Sequence, residues 1–168
     1  ATYPTSYIPT YGVSQTRLQE LGRSGDYINT SITFGPTDDF AILYDGQIFE
    51  RDVMILGGGL IDSNRIWIRN TEIRFDGTGA TRMSTAHSTP PINTRFKLLV
   101  KRTGSTIKFF IDGASVTNTI HNPNTEFTIN SLFWSLANSY IAYGKHNQLT
   151  IFPTALSDSE CIALTTIT

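Results

Sequence analysis

The chain contains a single cysteine, Cys161, carries almost no net charge and holds no long apolar run. One cysteine cannot form an internal disulfide, so 168 residues must be held together by packing alone. A chain of that length suits one domain that buries roughly two-thirds of its unfolded surface. Lysines and arginines number 13 against 14 aspartates and glutamates, a net charge of −1. That balance removes any electrostatic ground for expecting a nucleic-acid partner or an anionic membrane surface. No stretch approaches the ~20 apolar residues of a membrane helix, so no membrane insertion is expected. Cys161 reads as a small buried hydrophobe, because no basic cluster lies near it in sequence to activate a thiol. The composition suits synthesis in a reducing cytoplasm.

Catalytic signatures are scarce as well. His87, His121 and His146 sit in or beside polar, turn-like sequence, and none neighbours a G-x-S-x-G elbow. All three read as surface histidines. No Cys/His spacing suits zinc, and Gly57-Gly58-Gly59 lacks the Lys-Ser/Thr of a phosphate loop.

What is present is β pattern. Residues 1–25 read as an extended lead-in from a preceding domain: Pro4 and Pro9 block regular pairing, while Tyr3, Tyr7, Ile8 and Tyr11 supply apolar anchors. The chain begins with Ala1 and shows neither a basic n-region nor an apolar h-region, which suggests a piece of something longer. Residues 26–168 form the domain proper. Strands are expected over 27–34, over 40–44 up to Asp45-Gly46, and over 53–56 up to the three glycines. Across 65–75, Ile66, Ile68, Ile73 and Phe75 point inward while Arg65, Arg69, Glu72 and Arg74 point out, with Asn70-Thr71 as the turn. Residues 78–91 are polar and breaker-rich, which predicts a long surface loop. Residues 96–102, 106–111 and 114–120 predict a three-stranded meander, its second turn being Asp112-Gly113 with positive φ. Residues 131–136 and 141–152 add two more strands. Only the end looks helical. Ser157 and Glu160 make a capping box, and Leu156, Cys161 and Leu164 form one apolar face. The expected fold is all-β: a two-sheet antiparallel sandwich of jelly-roll type with one short C-terminal helix.

The piece FKLLVKRTGSTIKFFIDGASV resembles the central hairpin of concanavalin A-like, laminin G-like domains. The ending LTIFPTALSDSECIAL resembles their final strand, turn and terminal helix. In the lead-in, PTSYIPTYGVSQTR is similar to a segment recurring in bacteriophage and prophage tail or virion surface proteins. Together these resemblances imply a carbohydrate-binding or adhesion module on a phage virion surface, contacting host-surface glycans. They also imply other virion proteins as partners and admit a homo-oligomer.

Five residues are the candidates for a glycan site. Sugars are held by aromatic faces stacked on C–H groups, with polar side chains fixing hydroxyls. Trp67 lies on the strand face opposite Ile66 and Ile68, beside Arg65 and Arg69, while Tyr44, like Tyr140 and Tyr143, is placed at a strand end; Asn64 completes the set. Trp134 lies in an apolar run and is assigned to the core. No cofactor is expected; the one metal the resemblance admits is Ca²⁺, with Asp38, Asp39 and Asp62 as oxygen donors. The same fold hosts β-glucanases, whose retaining members need two carboxylates about 5 Å apart. Glu72 and Asp76 are the nearest pair, but Arg74 stands between them and holds both ionised, the wrong state for a general acid. A salt-bridged face, and no enzyme, is the expectation. The rivals to adhesion are a purely structural virion decoration or assembly domain and, further off, a glycan-cleaving enzyme.

Overall fold

Twelve strands and one helix, α1 (Asp158–Thr165), are seen among the residues that a computed structural model describes: 28–57, 64–78, 82–85, 89–116, 118–120, 125–133 and 142–168. The lead-in 1–25 lies outside them. The strands are β1 (Ile28–Phe34), β2 (Phe40–Ile48), β3 (Val53–Gly57), β4 (Arg65–Ile68), β5 (Ile73–Asp76), β6 (Arg82–Thr85), β7 (Arg95–Thr103), β8 (Thr106–Ile111), β9 (Ala114–Val116), β10 (Asn118–Ile120), β11 (Phe127–Leu132) and β12 (Gly144–Phe152). They form a seven-stranded sheet in the order β1-β11-β3-β4-β5-β6-β10 and a five-stranded sheet in the order β12-β2-β7-β8-β9. The described pairings are antiparallel.

Strand alternation explains how the two layers close. In β2, Phe40, Ile42, Tyr44 and Ile48 enter the interior, and in β7 Phe96, Leu98 and Val100 do the same. The seven-stranded sheet answers with Ile66, Ile68, Ile73, Phe75, Phe127 and Ile129. Phe40 of the five-stranded sheet meets Phe34 at 4.7 Å and Phe127 at 5.8 Å between ring centroids, so aromatic pairs bridge the layers. Burying each such side chain is worth about 1.5–3 kcal/mol, which is the main force holding a domain that lacks disulfides.

The helix makes a second, smaller core on the outer face of the five-stranded sheet. Cys161 is fully buried there among Ala41, Leu43, Leu99 and Phe110, with Leu156 and Leu164 packed alongside. The capping box is formed as the sequence predicts: the Glu160 amide donates to Ser157 Oγ and the Ser157 amide to Glu160 Oε2.

Several expected boundaries move. β2 does not stop at Asp45-Gly46 but runs on to Ile48, because Gly46 serves as a slot for the Tyr44 ring rather than as a turn. The polar stretch 78–91, expected as loop, contains β6, which is hydrogen-bonded on both sides by β5 and β10. Ala114 to Ile120 is not one strand: β9 pairs with β8, whereas β10 pairs with β6 in the other sheet. Such a change of sheet at an edge is how a sandwich turns a corner. The last central strand begins at Phe127 rather than at residue 131, with Phe127, Ile129 and Ser131 facing in between polar neighbours. Residues 134–136 lie outside the described set.

Candidate functional site

On β3, β4 and β5 the residues that alternate with the core face away from the sandwich. Register places Met54 opposite Trp67 and Trp67 opposite Arg74, while Arg65 lies opposite Asp76. Directly opposed residues share a face, so these five make two adjacent rows on the outside of the seven-stranded sheet.

Trp67 is the centre of this face. The guanidinium carbons of Arg65, Arg69 and Arg74 lie 4.3, 4.7 and 5.4 Å from its ring centroid. Guanidinium planes over an indole are attracted by its quadrupole. Three cations this close repel one another, and three carboxylates offset that. Arg65 Nε donates to Asp76 Oδ2 at 2.6 Å, and Arg74 Nη2 donates to both Asp76 oxygens at 3.1 and 3.0 Å. Arg69 Nη1 donates to Glu72 Oε1 at 2.9 Å, and its Nε lies 3.7 Å from Asp52 Oδ1. The turn that presents Arg69 is closed by its own amide donating to the Glu72 carbonyl.

Exposure is graded across the cluster. Trp67 is 7% exposed, and Arg65, Arg74 and Asp76 are buried. The Arg69 side chain is 39% exposed, with Asp52 and Glu72 beside it also reaching solvent. The open end therefore offers an oriented guanidinium flanked by two carboxylates. Such an arrangement suits recognition of hydroxyl groups, which can donate to the carboxylates and accept from the guanidinium.

The structure brings together three of the five predicted residues, Trp67, Arg65 and Arg69. Trp67 is not the open stacking platform that its outward face suggests, because arginines close over it. Asn64 sits one residue before β4 with φ of 54°, and its Oδ1 accepts from Thr78 Oγ1 and from the Thr128 amide, both at 3.1 Å. It fastens a turn. Tyr44 stands apart: it is in the middle of β2 in the other sheet, and only 1% exposed. The strand-end placement fails because β2 continues past Gly46. Asp76, singled out in sequence with Glu72 as a carboxylate pair, and Arg74, which stands between them, both join the arginine cluster, and Asp52 and Met54 are not signalled by the sequence. The missing signal is cross-strand register, which no single strand displays.

Two of the three calcium candidates are engaged in turns. Asp38 Oδ2 accepts from the Gly35 amide and Asp39 Oδ1 from the Gly104 amide, each at 2.7 Å, so the two carboxylates serve different turns. Asp62 lies outside the described residues, as do Trp134, Tyr140, His87 and His121. Among the described residues no three His, Cys, Asp or Glu side chains converge.

A second polar cluster lies at one rim. His146, expected as a surface histidine, has an exposed residue surface but an engaged ring: Nδ1 is 3.0 Å from Tyr44 Oη and Nε2 is 2.9 Å from the Ala142 carbonyl. Burial pushes the Tyr44 hydroxyl far above the ordinary phenol range, helped by the nearby Asp45 charge, and burial holds the His146 imidazole below its ordinary value. On the outer side of β2, hydrogen bonds from Arg95 hold Asp45 below the usual carboxylate range, and Asn147 Nδ2 donates to the same carboxylate at 3.1 Å.

No known protein family matches the chain by sequence, and no curated protein does. Solved structures do resemble it in shape. The CBM40 of the Ruminococcus gnavus IT-sialidase superposes with a TM-score of 0.57 at 14% identity, over 79% of this chain and 85% of that one. It has also been solved with α2,3-sialyllactose bound. A heptameric SAP-like pentraxin from Limulus polyphemus gives 0.56 at 7% identity, over 81% and 72%. Domains LG4-5 of the mouse laminin α1 chain give 0.52 at 14% identity, over 77% and 41%. Identities this low speak for architecture alone, and the architecture they share with this chain is the two-sheet antiparallel jelly roll.

Proposed function

We propose that this domain is a non-catalytic carbohydrate-binding module, and that it serves as an adhesion module of a phage virion surface or tail protein that contacts host-surface glycans. The observation that carries the binding part is the arginine-ringed Trp67, with Arg69 open to solvent between Asp52 and Glu72. Support comes from the fold shared with a module solved in complex with sialyllactose. The virion part rests on the segment PTSYIPTYGVSQTR alone.

The deciding measurement is a glycan array on the full chain, followed by calorimetry with sialyllactose and with lactose as the neutral control. Binding to at least one surface glycan is expected, and Arg69→Ala should weaken it by about tenfold, the worth of one hydrogen bond to a charged group. A chain that binds no glycan, or an Arg69→Ala variant that binds as well as the parent, refutes the site. Tail or baseplate genes flanking the parent reading frame would support the virion role, and their absence would count against it.

A structural reading is favoured by one specific feature. Arg65, Arg74 and Asp76 are buried and satisfied by one another, as in a packed interior. A decoration or assembly domain would show higher oligomers by light scattering and no glycan affinity.

A further inference from the structure

The ring of His146 touches both sheets. Through Nδ1 it meets Tyr44 Oη on β2 of the five-stranded sheet. Its imidazole also stacks on Phe133, with centroids 3.9 Å apart and planes at 16°. Phe133 follows β11 of the seven-stranded sheet, and its amide donates to the Ile55 carbonyl of β3 at 2.9 Å. Through Nε2 the ring holds Ala142, whose amide returns to the Phe133 carbonyl at 2.9 Å. Phe133 keeps a left-handed φ of 60°, a strained state for a bulky residue that persists only where its surroundings enforce it.

The hydrogen-bond partners dictate the tautomer. A carbonyl oxygen only accepts, so Nε2 must carry the proton and donate to Ala142. Nδ1 then has a lone pair, and Tyr44 must donate to it. A second proton on the ring places an N–H at Nδ1 against the Tyr44 O–H, donor to donor. Tyr44 is buried, and among the described residues His146 is its one side-chain hydrogen-bond partner. The phenol proton then loses the acceptor that it has in the neutral state.

We propose that His146 is a proton-sensitive stitch between the two sheets, closed when the ring is neutral and released in acid. The groups packed round it are Tyr44 from β2, Phe133 after β11 and the Ala142 carbonyl, with Lys145 and Asn147 adjacent in β12; Asp45, next to Tyr44, lies on the opposite face in its own pairing with Arg95. Among the described residues no carboxylate is paired with the ring to stabilise an imidazolium. The lowered affinity of His146 for a proton, caused by burial, agrees with this. The sign is fixed: the folded state favours the neutral ring, so the stabilisation is whole above the ordinary histidine range near 6.5 and is lost as pH falls through the folded-state value.

The test is amide hydrogen exchange at Phe133 and Ala142, corrected for intrinsic rates, from pH 7.5 down to 4.5, beside an NMR titration of the His146 ring. Protection of these two amides should fall several-fold more than that of core amides such as Phe109, in step with the ring's titration. The non-titrating variant His146→Gln should show no such step. Should His146→Gln fail to fold, the wild-type titration decides alone. A ring that titrates at or above 6.5, or Phe133 and Ala142 amides that stay protected after it has titrated, overturns the proposal.

Discussion

The hydroxyl of Tyr44 occupies the space that a side chain at Gly46 would need. A Cβ built on Gly46 would stand 2.3 Å from Tyr44 Oη, 2.6 Å from Cζ of the same ring and 2.6 Å from the Lys145 carbonyl oxygen. The two residues point the same way along β2, so the ring lies flat over the glycine. Gly46→Ala is therefore expected to cost on the order of 2–3 kcal/mol, as overpacking of a tight core does. The measurement is urea unfolding, with a lower midpoint and an unchanged slope. Adding Tyr44→Phe should recover only part, because Cζ and the Lys145 carbonyl remain in the way.

Asp76 neutralises two buried guanidiniums. Arg65 and Arg74 both donate to it, and its side chain is fully enclosed. Asp76→Asn leaves two cations sharing a face with Trp67 and without their common anion. Breaking a buried pair from one side costs roughly 3–5 kcal/mol. The expected outcome is a large fall in the thermal midpoint together with a change in tryptophan emission. Were the protein instead to keep its stability and lose a measurable glycan-cleaving activity, Asp76 would be a catalytic group and the binding-module reading would fail.

The fold was legible where one strand carries its own signal. Period-2 alternation from Ile66 to Phe75, the positive-φ turn at Asp112-Gly113 and the capping box at Ser157 each encode local geometry, and each is found as expected. What the sequence hides is pairing. β6 reads as loop because Arg82, Met83, Ser84 and Thr85 have no alternation; only neighbours on both sides make it a strand. The same holds for the site. Trp67, Arg65 and Arg69 can be picked out on one strand and its turn, yet their meaning changes once Arg74 and Asp76 arrive from the next strand. Tyr44 was misplaced for a related reason: Asp45-Gly46 resembles a turn until a ring two residues back is seen to need the glycine.

Arg102 replaces backbone pairing where a turn meets the sandwich. It is fully buried, its guanidinium carbon lies 4.7 Å from the Phe40 ring centroid, and it donates to the carbonyls of Asp38 at 2.6 Å and Thr125 at 2.8 Å as well as to that of Gly35. Burial lowers its proton affinity, with Asp38 and Asp39 acting in the opposite direction. Arg102→Met keeps the apolar stem and removes all the donors. At about 1 kcal/mol for each bond, a loss of roughly 3 kcal/mol is expected by chemical denaturation. Arg102→Lys, which keeps the charge but not the fork, should restore a minor part.

Helix docking has a built-in reporter, because Cys161 is covered only while α1 lies on the sheet. The dock is pinned by Asp158, whose carboxylate accepts from Lys101 at 2.5 Å and from Lys108 at 2.7 Å, and by the Ser157–Glu160 box. Those lysine hydrogen bonds hold Asp158 below the usual carboxylate range, and the Ser157 hydroxyl and amide do the same for Glu160. Both groups bind a proton less readily folded than unfolded. Their contribution is thus present above the ordinary carboxylate value near 4 and is lost as pH falls through the folded-state values. Labelling of Cys161 with 4,4′-dithiodipyridine should accelerate below pH 4, before the core unfolds by near-ultraviolet dichroism. Ser157→Ala removes a cap worth ~1 kcal/mol, which in the fast-reclosing limit means labelling roughly fivefold faster at neutral pH. Lys101→Met should act in the same direction, since it removes both the bond to Asp158 and the one to the Leu156 carbonyl at 2.8 Å. Labelling that is equally slow in all three proteins would mean that Cys161 is shielded by something other than the seating of α1.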